Sequence, residues 1–488
     1  MTGVEIEQGR LRGTVVAGAD AFLGIPYAAD PVGERRFAAP APHPGWTGVR
    51  DAVVPGPAAP QAVSRLAAVM GHPRSTGYDE AGCLTVNVWT PADRAPGDRL
   101  PVLFWLHGGA FITGSASWDW YSGARLAAEH RIVVVTANYR LGPLGYLYSP
   151  QLGPGNTGLL DQQAALAWTA TNVAAFGGDP AAITVGGQSA GGISAALLAG
   201  IPATRDIVRR VVLQSGVPAF PLIPPSSAEE TTDRLVHVLG RTRPTELRDV
   251  AADDLIAAVR ELRPAPDRSA TPLPLLGPVR TDDHPWADPA AALRDSNGEL
   301  AALIGYTAAE GNAFLLAADI PDAAAALDRV SVDGAGGAAL AAYYGAHRAG
   351  AAPWMLLADT ATDQTFRRPA LAVAEDLARS GRPVHVYQFD WSAELGAAHC
   401  IELPFQFGTW ESWADAPMLG PAGTRDQAEL DGVAAQFAGA IGAFVTSGDP
   451  AHAGLPAWPA YERERAAIMH IGRTSALAEP PVFPAELG

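Results

Sequence analysis

The 488-residue chain contains no lysine, so all 34 of its basic residues are arginines, and they face 51 acidic residues. The formal net charge is −17. A surface with this excess of negative charge repels phosphate backbones, which excludes electrostatic binding of nucleic acid. Charged residues make up only 17% of the chain and hydrophobic residues 48%. That balance excludes a mainly disordered chain and supplies enough apolar material for a large core.

Cysteine and long apolar runs are equally scarce. Cys83 and Cys400 are the only cysteines, too few for a disulfide framework, and we expect free thiols in a reducing compartment. The N-terminal residues show no basic region followed by an apolar run, so no signal peptide is predicted. No stretch approaches the roughly 20 uninterrupted apolar residues of a membrane helix. We therefore expect a cytoplasmic protein with no membrane partner.

Features that bind metals or nucleotides are also missing from the sequence. No His, Cys, Asp and Glu residues cluster at the spacing of a metal site, and a G-x-x-x-x-G-K phosphate loop would need a lysine. We expect neither a metal nor a cofactor.

The pattern that is present alternates short apolar runs with helical stretches. The runs lie at 101–106, 132–136, 183–186, 210–213, 300–304 and 384–389. Their composition is typical of strands buried on both faces of a largely parallel sheet. A helical pattern between them is clearest over 158–174. This alternation predicts a doubly wound α/β fold.

Neither a long linker nor a repeat of fixed period divides the chain, so we interpret residues 1–488 as one domain. Two ranges are weaker in strand signal, 225–300 and 315–365. We expect both to be helical insertions that form a lid or one wall of a pocket.

A G-x-S-x-G motif stands where a predicted strand gives way to a helical run. It reads Gly187-Gln188-Ser189-Ala190-Gly191 and follows the apolar run at 183–186. A sharp strand-to-helix turn holds such a serine in a strained conformation and exposes its hydroxyl at a helix N-terminus. The context predicts a nucleophilic serine at Ser189 rather than an ordinary turn residue.

A second glycine-rich loop follows the predicted strand at 101–106. It reads His107-Gly108-Gly109-Ala110, and loops of this kind offer backbone N–H groups to the oxyanion of a tetrahedral intermediate. We predict the amides of Gly109 and Ala110 as donors, together with the amide of Ala190 after the nucleophile.

Together these motifs resemble the type-B carboxylesterase family of the α/β-hydrolase superfamily. Further matching segments extend nearly from end to end, at 22–28 (FLGIPYA), 83–89 (CLTVNVW), 138–142 (NYRLG), 155–162 (GNTGLLDQ), 176–180 (FGGDP), 213–216 (LQSG) and 447–450 (SGDP). The resemblance implies an α/β-hydrolase fold, with a large, mostly parallel sheet flanked by helices, and a bacterial serine esterase.

The resemblance also indicates the base of a catalytic triad. His399 lies in a segment that matches the family's G-x-x-H-x-x-E loop and follows the predicted strand at 384–389. His385 and His347 are the alternatives. The first lies within a strand pattern and the second within a helical insertion, so both favour structural roles.

The acid is expected at Glu310, because 305–311 (GYTAAEG) resembles the family's acid loop. Glu402 follows His399 by three residues and is interpreted as structural, since the base needs one orienting carboxylate. Ser215 matches a family position near the acid. It either hydrogen-bonds Glu310 or is a buried serine at the end of a strand.

Three departures from the family pattern stand out. Gln188 replaces the usual glutamate before the nucleophile, which removes a negative charge and should alter substrate charge preference more than catalysis. The glutamate that usually pairs with Arg36 is absent, so Arg36 either uses Asp79 or Glu80 or lies exposed. Cys83 lacks the partner that secreted relatives have, and we expect a free buried thiol.

These residues predict a cofactor-independent enzyme that cleaves neutral, fairly hydrophobic, small-molecule esters. A carbamate or aryl-amide hydrolase with the same triad is the alternative, and a non-catalytic, esterase-like interaction protein is the least favoured reading. The sequence does not fix the oligomeric state, and a monomer is favoured.

Overall fold

We analysed a computed structural model of the chain. It describes residues 2–74, 77–216, 221–262, 275–316, 320, 322–330, 336–348, 350–463, 465–481 and 483. Parts of the two predicted insertions, at 263–274, 317–319, 321, 331–335 and 349, lie outside the described residues.

The strands are β1 (Thr2–Ile6), β2 (Gly9–Val16), β3 (Ala19–Pro26), β4 (Val49–Asp51), β5 (Thr85–Pro91), β6 (Leu100–Leu106), β7 (Val133–Ala137), β8 (Gly178–Gln188), β9 (Val208–Gln214), β10 (Ala301–Thr307), β11 (Val384–Phe389), β12 (Ile468–Ile471) and β13 (Ala476–Ala478). The α-helices are α1 (Ala67–Met70), α2 (Ala124–His130), α3 (Gly142–Tyr146), α4 (Thr157–Asn172), α5 (Ala190–Gly200), α6 (Pro225–Val238), α7 (Ala252–Leu262), α8 (Pro289–Arg294), α9 (Asn312–Leu315), α10 (Ala323–Val330), α11 (Gly337–His347), α12 (Pro353–Ala361), α13 (Arg368–Arg379), α14 (Leu403–Phe407) and α15 (Gln427–Ser447).

The strands form one large sheet in the order β1-β2-β3-β5-β7-β6-β8-β9-β10-β11-β12-β13, with β4 paired to β2. From β7 to β12 all neighbouring strands are parallel. Antiparallel pairs join β1, β2, β3 and β5 to one side of this block and β13 to the other, whereas β4 pairs with β2 in parallel. Helices alternate with the parallel strands, and the prediction of an α/β fold with a large, mostly parallel sheet is confirmed.

Burial on both faces explains why the central strands read as continuous apolar runs. In β6, Val102, Phe104 and Leu106 belong to the core on one face of the sheet, whereas Leu103 and Trp105 belong to the core on the other. Alternate side chains of a strand point to opposite faces of the sheet. A strand that is covered on both faces therefore has no solvent-exposed positions that would be occupied by polar residues.

The described parts of the two predicted insertions consist mainly of helices joined by loops. The first contains α6, α7 and α8, and the second contains α10, α11 and α12. Leu235 of α6 and Leu255 and Val259 of α7 share an apolar cluster with Phe111 and Ala190. The first insertion therefore packs against both segments in which the sequence predicts oxyanion donors.

Among the described residues, α15 is the one helix long and apolar enough to span a membrane on length and composition alone. Within its most apolar window, 61% is buried inside the protein. Phe437, Ile441 and Phe444 of this helix belong to the core beneath the sheet. Its apolar character is that of a core helix.

The predicted site residues follow the carboxyl ends of neighbouring parallel strands. His107 follows β6, Ser189 follows β8 and Ser215 follows β9. Glu310 and His399 lie in the loops after β10 and β11. Because these five strands are adjacent and parallel, their carboxyl ends meet at one edge of the sheet, where ligands bind in open α/β sheets.

Candidate active site

Ser189 occupies a sharp turn between β8 and α5. Its backbone has φ 56° and ψ −123°, a strained combination for a residue with a side chain. The Ser189 N–H donates to the carbonyl of Gln214 at 2.8 Å, which anchors the turn to β9. The side chain is partly exposed, and no hydrogen-bond partner for its hydroxyl exists among the described residues.

Small residues on either side allow this turn to be tight. A Cβ atom on Gly187 would lie 2.3 Å from the carbonyl carbon of Gly191, and one on Gly191 would lie 2.0 Å from the carbonyl oxygen of Leu106. Both distances are far inside van der Waals contact. The G-x-S-x-G pattern is therefore required by the packing of α5 against β6 and β8.

The loop after β6 holds three successive residues in the left-handed region: Gly109 (φ 118°), Ala110 (φ 53°) and Phe111 (φ 62°). Such runs curve the backbone so that its N–H groups form a concave anion site. Within the described part of the chain, the amides of Gly109 and Ala110 donate to no acceptor. Ala190 is the first residue of α5, where N–H groups have no partner within the helix.

His107 supports this loop from below. Its ring stacks on Tyr139 at a centroid distance of 4.4 Å, and its Nδ1 lies 2.8 Å from the carbonyl oxygen of Gly108. Burial lowers the pKa of His107 to about 4. The imidazole is therefore neutral near pH 7, and it holds the Gly108 carbonyl as a hydrogen-bond donor from Nδ1.

The predicted acid and base meet in the interior. The Nδ1 atom of His399 lies 2.5 Å from Oε2 of Glu310, and both side chains are almost wholly buried. Oε1 of Glu310 accepts from the Ser215 hydroxyl at 2.5 Å and from the Thr307 N–H at 2.8 Å. Of the two readings of Ser215, the structure supports the one in which it binds Glu310.

The alternative residues lie elsewhere. His385 is the second residue of β11, at the opposite edge of the sheet, and its Nε2 lies 3.8 Å from Asp449. His347 ends α11 in the second insertion. Glu402 is buried, and neither carboxyl oxygen has a partner among the described residues. Burial and the charge of Glu310 raise the pKa of Glu402 well above its usual range.

A short π-helix, Thr362–Arg367, braces the acid loop, and sequence reasoning missed it. The Gly311 N–H donates to the Thr362 hydroxyl at 3.0 Å, and Arg367 donates to the carbonyl of Ala308 at 3.2 Å. The wider turn of a π-helix is frequent at functional sites. No residue pattern in this stretch predicts it.

Two aromatic rings flank the predicted base, and neither was predicted. Phe314 and Phe366 each lie 5.1 Å from the His399 ring, centroid to centroid. The two phenyl rings are nearly parallel, 6.2 Å apart. Phe314 is 50% exposed, although a phenyl ring gains by burial. An apolar surface thus stands open beside the imidazole.

Gln188 touches the other nitrogen of the base. Its side-chain Nε2 lies 3.1 Å from Nε2 of His399, and its side chain is buried. From the sequence, position 188 stood out because Gln replaces the usual glutamate there. The contact between Gln188 and His399 was not predicted. The structure thus joins His399 to Glu310 and Gln188, and it shows no hydrogen bond between His399 and Ser189 among the described residues.

Two of the departures from the family pattern are resolved by contacts. Arg36 pairs with Glu80 through one edge of its guanidinium: Nε donates to Oε1 at 2.5 Å, and Nη2 donates to Oε2. Cys83 and Cys400 are both free and buried. Burial raises the pKa of each thiol, which keeps both sulfurs protonated and unreactive.

The parallel sheet, the strained serine turn and the buried carboxylate–imidazole pair define an α/β hydrolase. The model of the carboxylesterase family matches residues 1–481. The chain belongs to this family and is an ester-hydrolysing enzyme.

Individual relatives resemble the chain over almost its whole length. It is 38% identical to phenmedipham hydrolase of Pseudarthrobacter oxydans, covering 96% of this chain and 94% of the relative. It is 35% identical to para-nitrobenzyl esterase of Bacillus subtilis, covering 94% and 93%. The solved structure of a Geobacillus stearothermophilus carboxylesterase matches with a TM-score of 0.84 at 36% identity, over 99% of this chain and 98% of the other.

Proposed function

We propose that the chain is a serine carboxylic-ester hydrolase for neutral, fairly hydrophobic esters, working through an acyl-enzyme on Ser189. The observation that carries this proposal is the buried contact between Glu310 and His399 at 2.5 Å, at the same sheet edge as the strained Ser189 turn. A nucleophile, a base and an acid that orients the base are the parts that acyl transfer needs.

In the acylation step, the Ser189 oxygen attacks the ester carbonyl carbon while His399 Nε2 takes the hydroxyl proton. The carbonyl π bond breaks and its electron pair moves to oxygen, giving a tetrahedral oxyanion. When that intermediate collapses, the bond to the leaving alkoxide breaks, and the imidazolium returns the proton to the departing alcohol. Glu310 fixes the Nδ1–H tautomer and stabilises the imidazolium throughout.

In the deacylation step, water takes the place of the serine. His399 accepts a proton from the water as its oxygen attacks the acyl carbon, and the second tetrahedral intermediate releases the Ser189 oxygen. The proton then passes from the imidazolium to that oxygen. The products are the free acid and the regenerated enzyme, and the proposed steps use only groups of the protein and water.

The oxyanion of both intermediates is assigned to the amides of Gly109, Ala110 and Ala190. Their freedom from internal acceptors supports this assignment, because donors already aimed at the site need no reorganisation during reaction. Phe314 and Phe366 line the same space next to the base, which favours apolar substrate groups over charged ones.

The working state that fits these features is a cytoplasmic enzyme without nucleic-acid or membrane partners, with a monomer favoured. Support comes from the two free buried thiols, which suit a reducing compartment, and from the net charge of −17.

Carbamate or aryl-amide hydrolysis is the second candidate, because the same groups can attack those carbonyls. The 38% identity to phenmedipham hydrolase makes phenmedipham the first such compound to test. A panel on pure protein should compare para-nitrophenyl esters of increasing acyl length with phenmedipham and an aryl amide. The ratio of kcat/KM values decides between ester and non-ester preference.

Replacing Ser189 with alanine tests the nucleophile. Ser189→Ala should lower kcat for para-nitrophenyl acetate by at least about 10⁴-fold with an unchanged Tm, because no other hydroxyl in the described part of the chain is placed beside His399 to attack. Ser194→Ala is the matched control: it lies in the same helix, and its hydroxyl donates to the carbonyl of Ala190. Activity of the Ser189 variant within about tenfold of wild type would reject the mechanism and favour a non-catalytic role for this segment.

A further inference from the structure

The two nitrogens of the His399 ring have different partners. Nδ1 faces the Glu310 carboxylate, which accepts hydrogen bonds, so the ring proton resides on Nδ1. The lone pair is then on Nε2, and the atom opposite it is the side-chain nitrogen of Gln188 at 3.1 Å. An amide N–H donates to that lone pair.

We propose that Gln188 is a positioning residue that holds the Nε2 lone pair of His399 in the resting enzyme and stabilises the neutral base. This inference depends on the proposed function, in which the same lone pair accepts the Ser189 proton. Gln188 and Ser189 then compete for one acceptor, which accounts for the absence of a hydrogen bond from Ser189 to His399 in the described structure.

The position of the Gln188 side chain is fixed by its surroundings. Gln188 is the last residue of β8 and only 1% exposed. Its Oε1 would lie 2.6 Å from a Cβ atom on Gly108, so any larger residue there would displace the amide. His399 is held from its other side by Glu310. The contact therefore links the end of β8 to the buried loop that follows β11.

The orientation of the amide follows from the tautomer. If the amide were turned over, Oε1 would face the unprotonated Nε2, and two lone pairs would oppose each other. With Oε1 facing Nε2, the amide can accept a hydrogen bond only if the His399 ring is protonated at Nε2. The neutral base therefore selects the donor orientation, and the donor orientation in turn disfavours protonation of the base.

The other charged or titratable groups around His399 do not donate a hydrogen bond to its Nε2 atom. Glu310 occupies Nδ1. Burial raises the pKa of Glu402 and of the Cys400 thiol well above their usual ranges, which disfavours a negative charge on either. On the π-helix, Arg367 is engaged by Asp363 and by the Ala308 carbonyl.

A glutamate at position 188, as the family resemblance leads one to expect, would behave differently. A carboxylate cannot donate to Nε2, but it accepts from the imidazolium and attracts its charge. Gln188 should therefore let the base stay neutral, and the enzyme stay active, at lower pH than a glutamate would allow.

The test compares the acid limbs of kcat/KM against pH for wild type, Gln188→Met and Gln188→Glu, with a non-ionisable ester. Methionine keeps the length and removes the donor. We expect the midpoint of the acid limb to rise by about 0.5 to 1 pH unit in Gln188→Met, the value of one hydrogen bond, and further in Gln188→Glu. Gln214→Met is the matched control: Gln214 ends the neighbouring strand β9, is also buried, and bonds Gln406 instead of His399.

Nitrogen-15 NMR of histidine-labelled protein gives a readout that does not depend on turnover. The Nε2 resonance of His399 should shift in Gln188→Met, because the amide donor is lost, and stay unchanged in Gln214→Met. The inference is wrong if a folded Gln188→Met variant shows the wild-type acid limb of kcat/KM and the wild-type Nε2 resonance. If Gln188→Met does not fold, the inference is wrong when Gln188→Glu leaves the acid limb unchanged. In both cases the esterase proposal stands. If Ser189→Ala retains activity, the proposed function fails first, and this inference with it.

Discussion

The two halves of the candidate site are held in different ways. In the half around Glu310 and His399, side chains are buried and each polar atom of the pair has a partner, including the Ser215 hydroxyl and the Thr307 amide. In the half around Ser189, the backbone is strained and the hydroxyl has no partner among the described residues.

This difference fits the proposed division of work. The carboxylate–imidazole pair must keep one geometry through every proposed step, so its hydrogen bonds are complete before substrate arrives. The nucleophile and the amides of Gly109 and Ala110 must bind atoms of the substrate, so their hydrogen-bonding capacity is left open. The backbone strain at Ser189 and Ala110 is found where the substrate would complete the structure.

Among variants that test the difference between the two halves of the site, Glu310→Gln should cause the largest loss of activity. Glutamine keeps the shape but favours the wrong tautomer of His399, so kcat/KM for para-nitrophenyl acetate should fall by about 10³- to 10⁴-fold. Glu402→Gln is the control, since Glu402 lies three residues from His399 without contacting it, and it should stay within about tenfold of wild type. An opposite ranking of these two variants in steady-state kinetics would assign the acid to Glu402.

A smaller loss is expected from Ser215→Ala. The variant removes one of the hydrogen bonds to the Glu310 carboxylate, and a bond to a charged group is worth about 1.5 kcal/mol or more, so kcat/KM should fall about tenfold. Thr307→Ala is matched to it, because Thr307 reaches Glu310 through its backbone N–H, which the variant keeps. Equal rates for the two variants would mean that the Ser215 contact does not support the base.

The sequence predicted those strands, helices and turns in which a local residue pattern is explained by a single physical cause. The apolar run at 101–106 became β6, and the helical pattern at 158–174 became α4, because burial on both faces leaves one solution for such runs. The serine turn followed from its glycines. The antiparallel strands β1 and β2 were missed because their alternating exposure gives a weaker signal, and the almost wholly buried β3 was missed as well.

Contacts between distant segments were beyond the reach of the pattern. The link from Gln188 to His399 joins residues 211 apart in the chain, and the approach of Phe314 and Phe366 to the base depends on the π-helix. The role of Ser215 could not be decided from the sequence for the same reason. The local sequence around a serine at a strand end does not show whether a carboxylate from a distant segment lies next to it.

A further expected effect concerns stability rather than rate, and it arises from the unpaired carboxyl of Glu402. Burial raises its pKa in the folded state, whereas the unfolded chain ionises near pH 4.3, so folding becomes less favourable as pH rises above that value. The loss reaches about 1.4 kcal/mol per pH unit until the raised pKa is passed. Urea unfolding from pH 5 to 8 should therefore show Glu402→Gln gaining stability relative to wild type with rising pH. Parallel stability curves would contradict a raised pKa for this carboxyl.

The most direct measurement of the central claim is covalent trapping of the nucleophile. An aryl phosphonate fluoride should label one serine per chain and stop ester hydrolysis in proportion. Because the chain has no lysine, trypsin cuts only after arginine, and the label should fall in the peptide 141–205, with fragmentation locating it at Ser189 rather than Ser149 or Ser194. The Ser189→Ala variant should take up no label. Stoichiometric labelling of any other residue, or full inhibition without labelling of Ser189, would contradict the account.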